Sequence, residues 1–151
     1  ASEPEKSVPY SRDSFWAVFR YRKLTLEEQR NTGMPQFGIH VRREHRNTGI
    51  VAIEGYIHAE GGKEILKTCD LLLGEGIRHL ILNLEGSRII NSVGVMCLLE
   101  LIEKIDQTEG RVCFCCATPT LAKTFKIMGL FEISTLYDTE REALQAMEDL
   151  I

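Results

Sequence analysis

Two short, unbroken apolar runs, Leu80–Leu82 and Val112–Ala117, are each followed by a segment with helical spacing, and this pairing constrains the fold most. A strand that is apolar at every position has to be covered on both faces, which is the situation of strands in a parallel sheet flanked by helices. Parallel neighbours need a crossover of about a dozen residues or more, usually a helix. The chain supplies such helices in order. Within Glu60–Glu75, the residues Ile65, Cys69, Leu72 and Leu73 fall at i, i+4, i+7 and i+8, and Gly74 and Gly76 are placed to stop the helix. From about Ser92 to Thr108 the first turns are apolar nearly all round (Val93, Val95, Met96, Cys97, Leu98, Leu99), so they have to be largely buried. Glu100, Glu103, Lys104 and Asp106 then mark a solvent face, and Gly110 ends the element. Thr118 as N-cap and Pro119 at the first helical position open a third helix, with Leu121, Phe125 and Met128 on one face and Gly129 closing it.

Before these units lies a hairpin. Phe37–Glu44 alternates, with Ile39 and Val41 on one face and His40, Arg42 and Glu44 on the other. Asn47, Thr48 and Gly49 supply the turn, and Ile50–Glu54 begins a second strand. At the other end, Ile133–Tyr137 reads as a last short strand. Thr139 with Glu142 forms a capping box for a helix whose Ala143, Leu144, Met147, Leu150 and Ile151 face inward. The expected fold class is α/β: a four- to five-stranded mixed, mainly parallel sheet with an N-terminal hairpin, about four helices and right-handed crossovers. Residues 36–151 make up this domain. Residues 1–35, with early prolines and with Phe15, Trp16, Phe19 and Tyr21 interleaved with Arg20, Arg22 and Lys23, form an N-terminal extension to which the sequence assigns no fold.

Charge narrows the partners. Residues 1–49 carry nine Lys/Arg against six Asp/Glu, and residues 50–151 carry nine against sixteen, giving +3 and −7. An acidic body argues against nucleic acid as the main ligand, because phosphate binding needs a positive surface. Five cysteines, three of them in the run Cys113, Cys115, Cys116, fit free thiols in a reducing cytoplasm rather than a disulfide framework, and no paired ligands at metal spacing appear. No apolar run approaches the ~20 residues of a membrane span, and Ala1–Ser7 lacks the apolar centre of a signal peptide, so a cytoplasmic location without membrane insertion is expected.

The most informative segment is Glu85–Gly94, between a buried strand and a buried helix. Asn91 and Ser92 stand where the helix has to begin, at the carboxyl ends of the strands, the usual place for a functional crevice in an α/β sheet. A helix N-terminus offers unpaired N–H groups and about half a positive charge, so it stabilises a capping side chain and accommodates a phosphate. Taken by itself, Asn91 or Ser92 reads as a plain N-cap contributing about 1 kcal/mol and nothing else.

Five stretches, in order, resemble the STAS family, the domain shared by anti-sigma factor antagonists and the cytoplasmic tails of sulfate transporters. They are Gly49–Gly55 (GIVAIEG), His79–Leu84 (HLILNL), Ile90–Val95 (INSVGV), Glu109–Val112 (EGRV) and Met128–Phe131 (MGLF). The family pattern at the helix start is Asp-Ser-Ser/Thr-Gly, and the resemblance carries the phosphorylated serine of the antagonists onto Ser92. Asn91 departs from that pattern by lacking the carboxylate, and Val93 by lacking a second hydroxyl. The resemblance implies a regulatory protein-binding domain whose partner is an anti-sigma factor with serine kinase activity. A second copy of the chain is a further candidate partner. The implied contact surface is Asn91, Ser92, Val93, Gly94, Val95 and Met96 together with the Tyr56–Gly61 loop, including Tyr56 and His58. His58 reads as a surface residue, since no acidic partner for a catalytic base has a visible place. An enzyme is not expected: Gly-x-Ser-x-Gly, Gly-x-x-x-x-Gly-Lys and Gly-x-Gly-x-x-Gly are missing, and neither a cofactor nor a catalytic residue is indicated. The alternative is a STAS scaffold or ligand-binding module, never phosphorylated, within a transporter, lipid-transfer or stress-signalling complex.

Overall fold

The computed structural model describes residues 36–45 and 47–149, so the extension expected over residues 1–35 and the inward-facing positions 150 and 151 lie outside the described residues. Strands β1 (Gly38–Glu44) and β2 (Thr48–Glu54) form the hairpin. Helix α1 (Ala59–Gly74), β3 (His79–Gly86), α2 (Ser92–Asp106), β4 (Arg111–Cys115), α3 (Pro119–Ile127), a 3-10 turn (Leu130–Glu132), β5 (Thr135–Tyr137) and α4 (Glu140–Glu148) follow. The sheet order is β1-β2-β3-β4-β5, with β1 antiparallel to β2 and every other pair parallel.

Because the strands advance steadily across the sheet, crossovers of a single hand put every connecting helix on one face. Register sorts the side chains accordingly. Val51, Leu82, Phe114 and Leu136 stand in line on one face, and Ile50, Ile81, Cys113 and Thr135 on the other. The first face packs under α1, α2 and α3 in the main core, where Phe114 and Phe125 meet edge to face at 5.3 Å. The second face is covered by α4, whose Ala143 and Met147 pack on Ile50, Ile81, Cys113 and Cys115. Leu80, Ile81 and Leu82 are fully buried, each contributing about 1.5–3 kcal/mol by leaving water. This is why β3 is apolar at consecutive positions rather than alternating.

Two details depart from the sequence reading. Val41 is 37% exposed although its strand partner Val51 is fully buried. β1 stands at the end of the strand order, and only Ile39 on that face reaches the main core. Helix α1 starts one residue earlier than expected because His58 caps it, its Nδ1 accepting the Gly61 N–H at 3.0 Å.

Candidate functional site

The loops that follow β2 and β3 are laced into one unit. Gly55 N–H donates to Gly86 O at 2.9 Å, Ile57 N–H to Ile89 O at 3.0 Å, and Asn91 N–H to Ile57 O at 3.1 Å. Ile57 and Ile90 also pair as a short parallel bridge. Ser87 is completely buried, and its hydroxyl donates to Gly55 O at 2.7 Å. A buried hydroxyl and carbonyl that satisfy each other across two loops fix their separation, since either one left alone would cost about 1–3 kcal/mol.

This lacing brings the N-termini of α1 and α2 side by side. A Cβ on Gly62 would come within 2.8 Å of Cys97 Sγ and 3.3 Å of the Gly94 Cα, so the helices approach through glycine on both sides. The positive ends of two helices therefore share one sheet edge.

At the start of α2 the cap is Asn91. Its Oδ1 accepts the Gly94 N–H at 2.8 Å, which makes Ser92 the first helical residue rather than the cap. Ser92 is partly exposed, and among the described residues its hydroxyl has no hydrogen-bond partner. The other amide end of Asn91 is less well served, because Nδ2 is buried and unpartnered among the described residues. An aspartate here would cap the same N–H with a charge matched to the helix end, its second oxygen taking the buried place of Nδ2.

The expected contact residues divide into two groups. Asn91, Ser92, Val93 and Met96 are partly exposed and lie together on the outer side of the turn. Gly94, Val95 and Tyr56 are buried and stand behind that surface rather than on it. Val95 belongs to the main core, on the same face of α2 as Leu98, Leu99 and Ile102, three, four and seven positions further on. Tyr56 lies edge-on to His58, with ring centroids 5.6 Å apart. His58 is likewise not a free surface residue. Its side chain is 15% exposed, and it caps α1 with Glu60 Oε1 at 3.4 Å from Nδ1.

The structure adds two residues to the outer surface. Arg88 is exposed and Ile89 is 37% exposed, both on the loop leading to Ser92. An apolar residue inside a tight strand-to-helix loop is the sequence signal for Ile89, because such a loop has no interior of its own to receive it.

Burial pushes the Cys69 thiol up to about 12, with Asp70 adding to the shift, and pushes Cys113 up to about 12, so neither is a ready nucleophile. Among the described residues no group of three or more His, Cys, Asp or Glu could hold a metal ion.

The chain is similar to proteins with this architecture. The curated anti-sigma F factor antagonist of Paenibacillus polymyxa is 26% identical over 105 residues, covering 69% of this chain and 90% of the relative. An anti-sigma factor antagonist from Mycobacterium paratuberculosis has a TM-score of 0.65 at 21% identity, covering 75% of this chain and 95% of that one. The Bacillus cell fate determinant SpoIIAA in the phosphorylated form has a TM-score of 0.59 at 22% identity, covering 72% and 98%. Identities this low speak for the fold alone. The STAS domain family model matches residues 41–143, from within β1 into α4 and across both laced loops, and on that match the chain belongs to the STAS domain family.

Proposed function

We propose that the chain is a regulatory protein-binding domain of the anti-sigma factor antagonist kind, not an enzyme. Its partner is an anti-sigma factor with serine kinase activity, met in the cytoplasm, and phosphorylation of Ser92 ends the contact. One observation carries this reading: Ser92 presents a partly exposed hydroxyl with no partner among the described residues, at the joined positive ends of two helices. Ser87, five residues earlier, is fully buried and bonded to Gly55 O, so the two serines of this loop differ in their access to a kinase. Five free cysteines suit a reducing compartment, and no described helix is long and apolar enough to cross a membrane.

The docking surface consists of Ser92, Val93 and Met96 with Arg88 and Ile89. A surface that matches Ile89, Val93 and a neutral hydroxyl excludes water when it docks. A phosphate brings about −1.5 to −2 charges to that place, which such an interface can neither solvate nor pair. The free protein tolerates the same group, because the first-turn N–H groups of α2 point toward it. The scaffold reading, with no phosphorylation, draws on Asn91: an amide stands where the resemblance places a carboxylate beside the serine.

The test is incubation with the candidate kinase and ATP, with phosphate located by mass spectrometry, and partner capture by Ser92→Ala and Ser92→Asp. Phosphate on Ser92, with capture lost in Ser92→Asp, supports the switch. Equal capture by both variants and no phosphate on Ser92 refutes it and supports the scaffold.

A further inference from the structure

In a continuing strand, successive side chains point to opposite faces of the sheet, so adjacent cysteines cannot meet. Cys115 and Cys116 break this rule. Cys116 has a φ of +65°, in the left-handed region that a non-glycine residue occupies only at an energetic cost. That turn brings its side chain round to the face Cys115 already occupies. Both pack in the small core beneath α4. Cys115 is fully buried, whereas Cys116 is partly exposed. The strained backbone thus holds a buried thiol directly behind an accessible one, at the same sheet edge that carries Ser92.

We propose that Cys115 and Cys116 form an oxidisable vicinal dithiol, a modification site for hydroperoxides in which Cys116 reacts first and Cys115 resolves it. In the first step Cys116 Sγ attacks a peroxide oxygen and the O–O bond breaks. The thiol proton leaves with the departing oxygen as water (or as an alcohol from an organic hydroperoxide), and Cys116 becomes a sulfenic acid. In the second, burial holds the Cys115 thiol protonated, so its nearness to Cys116 rather than its acidity drives the step: Cys115 Sγ attacks the Cys116 sulfur, the S–S bond forms, the S–O bond breaks, and hydroxide leaves with the Cys115 proton as water. The peroxide takes up two electrons and the thiol pair gives up two.

Closing this ring strains the backbone. Adjacent Cα atoms are about 3.8 Å apart across a trans peptide, below the roughly 4.4–6.8 Å usual for disulfides, so the bond is easily reduced and the peptide has to shift. The contact nearest that shift is the Cys116 N–H donating to Tyr137 O at 3.1 Å, which ties the end of β4 to β5. Cys115 pairs with Asn83 on its other side, so the redox state is felt one strand away from the Ser92 loop.

The experiment treats the reduced full chain with hydrogen peroxide and maps its thiols by intact mass and peptide mass spectrometry. The expected result is loss of two hydrogens at the Cys115–Cys116 peptide, reversed by a dithiol reductant, with faster amide exchange at Cys116 and β5. The disulfide is lost in Cys115→Ser and in Cys116→Gly. The glycine variant adopts the left-handed conformation without strain, so it is expected to melt no lower than the parent. A disulfide through Cys113, a disulfide between chains, oxidation that stops at Cys116 as sulfinic acid, or retention of both thiols would each overturn the proposal.

Discussion

Gly94→Ala tests the idea that the Ser92 turn is held in place by backbone contact with the neighbouring loop. A Cβ at this position would lie 2.7 Å from Ile57 O and 2.8 Å from Ile90 Cγ1, closer than real Cβ contacts allow. Ile57 O is also the acceptor for the Asn91 N–H at 3.1 Å, so a shift that relieves the clash weakens the link between the two loops. Overpacking of this kind costs about 1–3 kcal/mol, and weakening a buried hydrogen bond about 1 kcal/mol more. Against these stands the roughly 1 kcal/mol that alanine gains over glycine inside a helix. The expected net loss is about 2 kcal/mol, a fall in Tm of roughly 8 °C for a domain of this size. Gly74→Ala is the matched control, because nothing lies within 4 Å of a Cβ there; it is expected to be neutral or to gain up to about 1 kcal/mol. Urea and thermal unfolding followed by circular dichroism measure both. If Gly94→Ala is as stable as the parent or more so, the close approach is not what positions the turn.

Asn91→Asp keeps the cap to Gly94 N–H and adds a charge matched to the helix end, but its second oxygen takes the buried, unpartnered place of Nδ2, so the two effects offset and stability at neutral pH is expected to stay within about 1 kcal/mol of the parent's; a larger shift of the urea midpoint in either direction would contradict this. Ser87→Ala leaves Gly55 O buried without its hydroxyl donor, and a loss of about 1–3 kcal/mol is expected; an unchanged midpoint would show that the loops are not held by this bond. Two groups predict acid sensitivity. Burial lowers the His79 pKa, with Arg111 and Arg78 adding to the effect, so the unfolded chain takes up the proton first. Stability from this residue is complete above the unfolded value of about 6.5 and falls as the pH drops from there toward the folded value. Burial pushes the Glu140 carboxyl up, but hydrogen bonds from Arg42 and Asn83 outweigh it and bring it below the usual carboxylate range. Its contribution is present above the unfolded value near 4.5 and is lost as the pH falls through the folded one. Urea midpoints measured against pH should therefore flatten just below about pH 6.5 in His79→Gln, and in the acid limb in Glu140→Gln; parallel profiles for parent and variants would refute the assignments.

Elements and their order were legible in the chain because each depends on neighbours a few residues away. The unbroken run at Leu80–Leu82 demanded a strand covered on both faces, and the spacing of Ile65, Cys69 and Leu72 demanded a helix. The caps at Thr118 and Thr139 are observed as expected, accepting from Leu121 N–H and Glu142 N–H. The position of Ser92 in the first turn of α2 followed from the same local logic. The roles of its surroundings did not. Tyr56 and His58 looked like surface residues of a loop, yet one is buried and the other caps α1, because Phe37 and Tyr56 close over the histidine from separate parts of the chain. The bond from Ser87 to Gly55 spans 32 residues, and the contact between Gly62 and Gly94 likewise joins two helices. Periodicity and capping are set by hydrogen bonds and side-chain spacing within a single turn or strand, so the order of residues is enough to reveal them. Which loop atoms satisfy each other, which glycines two helices need in order to touch, and which way Cys116 turns are set by the meeting of distant segments, and only the packed sheet decides them.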